Sequence, residues 1–196
     1  MRIKHSNVLW LSLIPIIAIG LHFRWPSNAP YLAIHANQPL SSQWWTLISA
    51  PLAHTNGYHL VMNLMAYVII AQLSDTALRS WRMPLVTLCL GALSSLGFIM
   101  GDSGLTSLVG LSGALHGVVA YLVIREFNSA RLFMAVLATG LVIKLIAEGY
   151  WGGSEVTSQL IDAQVATSNH LVGAIAGALL AILLQLIVRS KHQASD

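Results

Sequence analysis

Three short stretches carry side chains with chemistry to offer: HTNGYHLVMN at 54–63, VGLSGALHG at 109–117 and NHLVGAIAG at 169–177. A serine hydroxyl is a weak nucleophile until an imidazole within hydrogen-bond reach takes its proton. Ser112 has two candidate imidazoles. His116 stands four residues on, on the same helical face, but a ring held by the same helix need not align with the hydroxyl. His170 is distant in sequence and must be delivered by another element. His59 and Asn63, also four apart, each offer a hydrogen-bond donor to a developing oxyanion, beside the backbone N–H of Ser112. His54, five residues before His59, suits a structural role. These types together point to acyl transfer through a serine. The competing reading is a zinc site made by His54, His59, His116 and His170. It lacks an acidic ligand or HExxH spacing and leaves Ser112 without a purpose, so neither a metal nor another cofactor is expected.

The elements that must position these residues follow from composition. The 196 residues are 56% hydrophobic and 9% charged, with mean hydropathy +0.70, against roughly 25% charged residues in soluble domains. This is the composition of a membrane protein. A hydrocarbon core of about 30 Å takes about 20 apolar residues per helix, and apolar stretches start near Val8, His54, Pro84, Ser112, Leu132 and Val165. No stretch alternates with the period of two of a membrane barrel. The expectation is an all-α, six-span bundle formed by one domain, residues 1–196, without internal repeat or low-complexity tract. The first stretch has a basic start but HFRWPSNAP lacks an A-x-A-like cleavage site, so it reads as a span and not a signal peptide.

Basic residues set the orientation. Arg2 and Lys4 precede the first span, Arg79 and Arg82 separate the second and third, Arg125 and Arg131 the fourth and fifth, and Arg189 and Lys191 follow the sixth. Asp102, Glu155 and Asp162 fall on the opposite side with Arg24. Both termini are therefore expected in the cytoplasm, with Trp25, Trp44, Trp45, Trp81 and Trp151 as interfacial anchors and Pro26 and Pro30 breaking helix in the first outer loop. The net charge of +3 reflects this sidedness and gives no support to a nucleic-acid partner. The single Cys89 reads as a small buried apolar residue of the third span and excludes an intramolecular disulfide.

The second, fourth and sixth spans enter from the outer side, so the three polar stretches converge on one end of the bundle. Polar groups inside a membrane are costly and point to function. Packing histidines explain any one of the stretches but not the convergence of three. From Ser112 to Ile124 the apolar run has about 13 residues, roughly 20 Å of helix and about 10 Å less than the hydrocarbon thickness. Ser112 should therefore begin a short, submerged fourth helix, and GDSGLTSLVG before it should be irregular backbone lining a wet pocket. Gly113 and Gly117 pair with Gly173 and Gly177 as small-x-x-x-small patterns that let the fourth and sixth spans approach closely. That approach brings His170 to Ser112 and makes it the preferred base, with His116 packed against its ring. No carboxylate stands beside either histidine in sequence, which favours a dyad over a triad. Lys144 and Glu148, an i, i+4 pair on the fifth span, read as an intrahelical ion pair reaching for the interface, with a gating contact as the alternative.

At these residues the chain resembles the rhomboid intramembrane serine proteases. GLSG at 110–113 is similar to their nucleophile motif, HTNGYHLVMN to their H-x4-H-x3-N signature and HLVGAIAG to their sixth-span motif. The resemblance covers all six spans in order. It implies Ser112 as nucleophile, His170 as general base, and His59 and Asn63 as oxyanion donors; Gly110, Gly113, His54 and His116 read as supporting residues. Two departures stand out: Trp45 is followed by Thr46 where many relatives have arginine, and His116 takes the place of an aromatic residue. GLSGALHG and the compact chain most resemble the rhombosortase branch, which implies transmembrane substrates ending in a Gly-Gly motif, a membrane helix and a basic tail, cut in a bacterial inner membrane. Two readings of other classes remain: a histidine-lined transporter or proton relay, and an inactive rhomboid-like protein that holds clients without cutting them.

Overall fold

The structure, a computed structural model, describes residues 5–24, 27–74, 78, 80–100 and 104–193. Arg2, Lys4, Trp25, Pro26, Arg79 and Asp102, invoked above for orientation, anchoring and helix breaking, lie outside these. The described elements are almost entirely helical. In chain order they are α1 (His5–His22), α2 (Ala29–Leu32), α3 (Thr46–Leu52), α4 (Gly57–Leu73), α5 (Arg82–Met100), α6 (Ser112–Glu126), α7 (Arg131–Trp151), α8 (Glu155–Ile161) and α9 (Thr167–Gln193), with two-residue strands β1 (Ile34–His35) and β2 (Ser107–Leu108).

Length and composition make α5, α7 and α9 able to cross a membrane, while Val8–His22 and Gly57–Leu73 are shorter apolar helices. α6 has 15 residues and is buried on nearly every side, through Leu115, Val118, Tyr121 and Leu122 among others. It is the axis of the bundle. The hydrophobic core gathers around it from Ile14, Tyr67, Leu90, Leu111, Met134 and Ala181. Its most extensive partner is α9, and glycine explains why. A Cβ on Gly173 would fall on the carbonyl oxygen of Gly113, and one on Gly177 on that of Gly117. Only hydrogen fits between these backbones, which is the close crossing that the small-x-x-x-small spacing predicts.

The segments between the long helices are pinned by polar side chains whose groups find backbone partners, as buried groups must. Buried Gln43 donates to the carbonyls of His35 and Gln38, both at 2.7 Å, and accepts from the His35 N–H at 2.8 Å, closing the loop before α3. β1 pairs antiparallel with β2, Ile34 opposite Leu108, so that loop also fixes the irregular residues leading into α6. At the other end, Ser74 donates to buried Glu126 at 2.7 Å and accepts from the Leu78 N–H, tying the end of α4 to the end of α6.

Trp44, Trp45, Trp81 and Trp151 are exposed at helix ends. Cys89 departs from expectation. It is exposed on α5, because its face of that helix points away from the bundle, and an apolar membrane helix gives no sequence signal separating its lipid face from its packed face.

Candidate active site

Ser112 is the first residue of α6, preceded by irregular backbone from Gly104 to Leu111 broken only by β2. Gly110 makes that geometry possible. Its φ of +111° is open to glycine and strained for other residues, its N–H donates to the Ala50 carbonyl at 2.9 Å, and a Cβ there would run into the imidazole of His59.

The α6–α9 crossing places Ser112 Oγ 2.9 Å from His170 Nε2. His116 packs flat on His170, ring centroids 4.1 Å apart at 14°, and donates Nδ1–H to the Ser112 carbonyl at 2.7 Å. That bond ties it to backbone and leaves the hydroxyl to His170. Of the two imidazoles weighed from sequence, the structure brings His170 to the serine as a partner and His116 as a support.

A carboxylate is also present, which corrects the expectation that none stands beside either histidine. Glu148 Oε2 lies 2.9 Å from His170 Nδ1, and its other oxygen pairs with Lys144. A carboxylate only accepts, so Nδ1 carries the proton and Nε2 keeps the lone pair that receives the Ser112 hydroxyl proton. The side chains of His170 and Glu148 are 5% and 10% exposed, against 49% for Lys144, so the carboxylate turns inward instead of reaching for an interface. The i, i+4 charges on an apolar helix were legible. The rotation of α7 that aims one of them at α9 was not, because no periodic signal on α7 marks its inner face.

A cavity of about 150 Å³ adjoins the serine, lined by Thr55, His59, Asn63, Ser112 and His170 among others, with room for several waters. Asn63 Nδ2 is buried there without a hydrogen-bond partner. Such an orphaned donor costs about 1–3 kcal/mol and is available to an incoming oxygen. His59 is more constrained. Thr55 Oγ1 donates to the Ile161 carbonyl at 2.5 Å and lies 3.0 Å from His59 Nδ1, which favours the tautomer protonated on Nδ1. The Thr55 N–H at 3.5 Å from the same nitrogen favours the other, and that one alone presents Nε2–H. Thr55 was not anticipated from sequence, although HT at 54–55 sits inside the quoted motif.

His54 does not join the site. It lies between α3 and α4, fully buried, edge-on to His59 with centroids 4.9 Å apart, and donates Nδ1–H to the Leu52 carbonyl at 3.1 Å. Burial, reinforced by neighbouring His59, lowers its pKa to about 3 and keeps the ring neutral. The four histidines of the zinc reading therefore do not converge. His116, Glu148 and His170 do bring ligand atoms within 4.8 Å of one another. The near-parallel rings direct their in-plane lone pairs side by side and not at a common point, and Lys144 already holds the carboxylate, so a serine–imidazole site describes this cluster better than a metal centre.

Two further openings meet here. A groove of about 620 Å³ runs between α4 and α7 from Ile70 and Leu137 up to Ser112 and His170, walled largely by apolar side chains. On the other side a polar cavity of about 400 Å³, lined by Gly153, Ser158, Gln164 and Thr167 among others, shares Gln164, Val165 and Ala166 with the serine cavity. α8 covers the junction, held to the start of α4 through Thr55 and through Asn56, whose amide donates to the Leu160 carbonyl at 2.9 Å.

Residues 41–186 match the family profile of the rhomboid domain. Among curated proteins, the chain is 29% identical over 160 residues to uncharacterized proteins of Mycobacterium bovis and Mycobacterium tuberculosis, covering 78% of this chain and 65% of each relative. It thus spans just under two thirds of the length of the curated relatives it matches.

Proposed function

The chain belongs to the rhomboid family, and from that premise we propose that it is an intramembrane serine endopeptidase of the rhombosortase type. It would cut membrane proteins anchored by a C-terminal helix, close to the outer face of a bacterial inner membrane, with both its own termini in the cytoplasm. The observation that carries the reading is the 2.9 Å contact between Ser112 Oγ and His170 Nε2, beside a cavity that the buried Asn63 amide faces without a hydrogen-bond partner. That distance lies within the reach a general base needs.

In the reaction, the substrate helix unwinds at small residues and passes between α4 and α7 into the cavity. Ser112 Oγ attacks the scissile carbonyl carbon as His170 Nε2 takes its proton. The negative oxygen formed is met by Asn63 Nδ2, His59 and the Ser112 backbone N–H. The C–N bond then breaks, the proton passes from His170 to the leaving amine, and the C-terminal anchor departs. Water reaching the site through the polar cavity between α8 and α9 gives its proton to His170, attacks the acyl-enzyme and frees the serine. The cavity at the serine is small, about 150 Å³, which suits small residues at the cut and so fits a Gly-Gly tail as substrate.

The test is cleavage of a Gly-Gly-tailed, membrane-anchored substrate by the protein reconstituted in vesicles, with mass spectrometry of the new C-terminus. Wild type should cut at the glycines, and Ser112→Ala and His170→Ala should each lose activity by at least about 10³-fold while remaining folded. Cutting of other single-span substrates alone would place the chain among general rhomboid proteases. Activity that survives Ser112→Ala would overturn the serine mechanism and return the histidines to a relay or binding role.

A further inference from the structure

Beyond the serine and the histidine, the site holds an ionised pair on α7 that neither the nucleophile nor the oxyanion donors require. We propose that Glu148 is a positioning residue, clamped by Lys144, that fixes His170 in the tautomer able to accept the Ser112 proton and then stabilises the imidazolium that results. The proposal rests on the serine-protease reading above.

The geometry points one way at each atom. Lys144 occupies Glu148 Oε1, which leaves Oε2 turned to His170 Nδ1 at 2.9 Å. With Nδ1–H donating to the carboxylate, Nε2 faces Ser112 Oγ as an acceptor. Reversing the tautomer would set an N–H against the hydroxyl and a lone pair against the carboxylate. His116, stacked beneath the ring, holds its plane but makes no in-plane bond to it, so the stack alone leaves the ring free to flip between the two tautomers. When Ser112 attacks, its proton moves to Nε2, the ring becomes a cation, and Nδ1–H stays on nitrogen beside a carboxylate that is 10% exposed. An opposite charge in so dry a place interacts far more strongly than in water. A carboxylate on the base's other nitrogen is worth on the order of 10⁴-fold where it has been replaced by an amide in a serine triad.

The reading also accounts for the odd placement of the pair. A lysine and a glutamate on an apolar helix are costly, and an ion pair serving only α7 would gain by pointing both ends outward. Instead the glutamate is turned inward, toward a helix 22 residues on.

The experiment compares purified wild type with Glu148→Gln, Glu148→Asp and Lys144→Met in detergent micelles. Ser112 reactivity is read with a fluorophosphonate probe, whose phosphorus bonds to Oγ as fluoride leaves and His170 takes the proton, so no protein substrate is needed. The His170 tautomer is read by ¹⁵N NMR, its signals identified by their absence in His170→Ala. Wild type should show Nδ1 protonated. Glu148→Gln, which keeps shape and loses charge, should label on the order of 10²- to 10⁴-fold more slowly with a mixed or reversed tautomer. Glu148→Asp should recover part of the rate and the wild-type tautomer, and Lys144→Met should slow labelling several-fold. Unchanged labelling and tautomer in Glu148→Gln would overturn the proposal and leave a two-residue mechanism. A slow rate with an unchanged tautomer would also overturn it, as a merely structural effect. Absence of Ser112 labelling in wild type would instead defeat the protease reading on which it stands.

Discussion

α6 and α7 follow one another in the chain and are both apolar, yet they serve the site in opposite ways. α6 is enclosed on all sides and locked to α9 through backbone contacts at glycine. On α7 only Met134 is buried, while Val136, Val142, Ile143 and Ile146 face outward. The helix carrying Ser112 is packed on every side, whereas the helix carrying Glu148 packs against α6 and α9 along one side and borders the groove on another.

The difference can be broken most severely at the crossing. Gly177→Leu should force α6 and α9 apart. Over-packing a close-packed core costs about 1–3 kcal/mol, and a displacement of about 1 Å at the reacting groups costs about 10² in rate, so both Tm and Ser112 labelling should fall. Gly140→Leu on α7, where a Cβ meets nothing within 4 Å, should leave Tm nearly unchanged. Equal damage from the two would erase the distinction.

Next come the donors facing the cavity. Asn63→Ala should slow cleavage by on the order of 10²–10³, and His59→Ala by less, because His59 presents Nε2–H in one tautomer only. The reverse order in kcat would reassign the main donor. His116→Phe should keep the ring stack and remain within about tenfold of wild type, whereas His116→Ala should lose more. Smaller still, Ile143→Ala on the outer face of α7 should change stability by no more than about 0.5 kcal/mol, measured by thermal unfolding in micelles.

The last prediction is a pH dependence. His54 is neutral when folded, with a pKa near 3, and titrates near 6.5 when unfolded. Below about 6.5 the unfolded state binds the proton that the folded state refuses, so stability falls as pH drops from there toward 3. His54→Asn, whose amide can keep the bond to the Leu52 carbonyl, should flatten this part of the Tm profile. An identical slope in the variant would assign the acid sensitivity elsewhere.

Much of this was legible in advance, for reasons that name its limits. Apolar length marked α5, α7 and α9, the short run after Ser112 marked α6, and the spacing of Gly113, Gly117, Gly173 and Gly177 marked the crossing that joins Ser112 to His170. Those signals are local or depend on residue size, which sequence records directly. The contact between Glu148 and His170 depends on how α7 is turned about its axis, and an evenly apolar helix carries no stripe to reveal it. α8 was missed for another reason: it is a seven-residue helix in a polar loop, capped by Ser154 accepting from the Thr157 N–H and ended by Asp162 in the left-handed conformation, a pattern too short to rise above loop composition.

The glycine contacts between α6 and α9 have a kinetic consequence. Because they set the gap between hydroxyl and imidazole, Ser112 and His170 stand together without help from any client. Under the proposed mechanism, selectivity would then reside in admission, in how readily a client's helix frays and slips alongside α7.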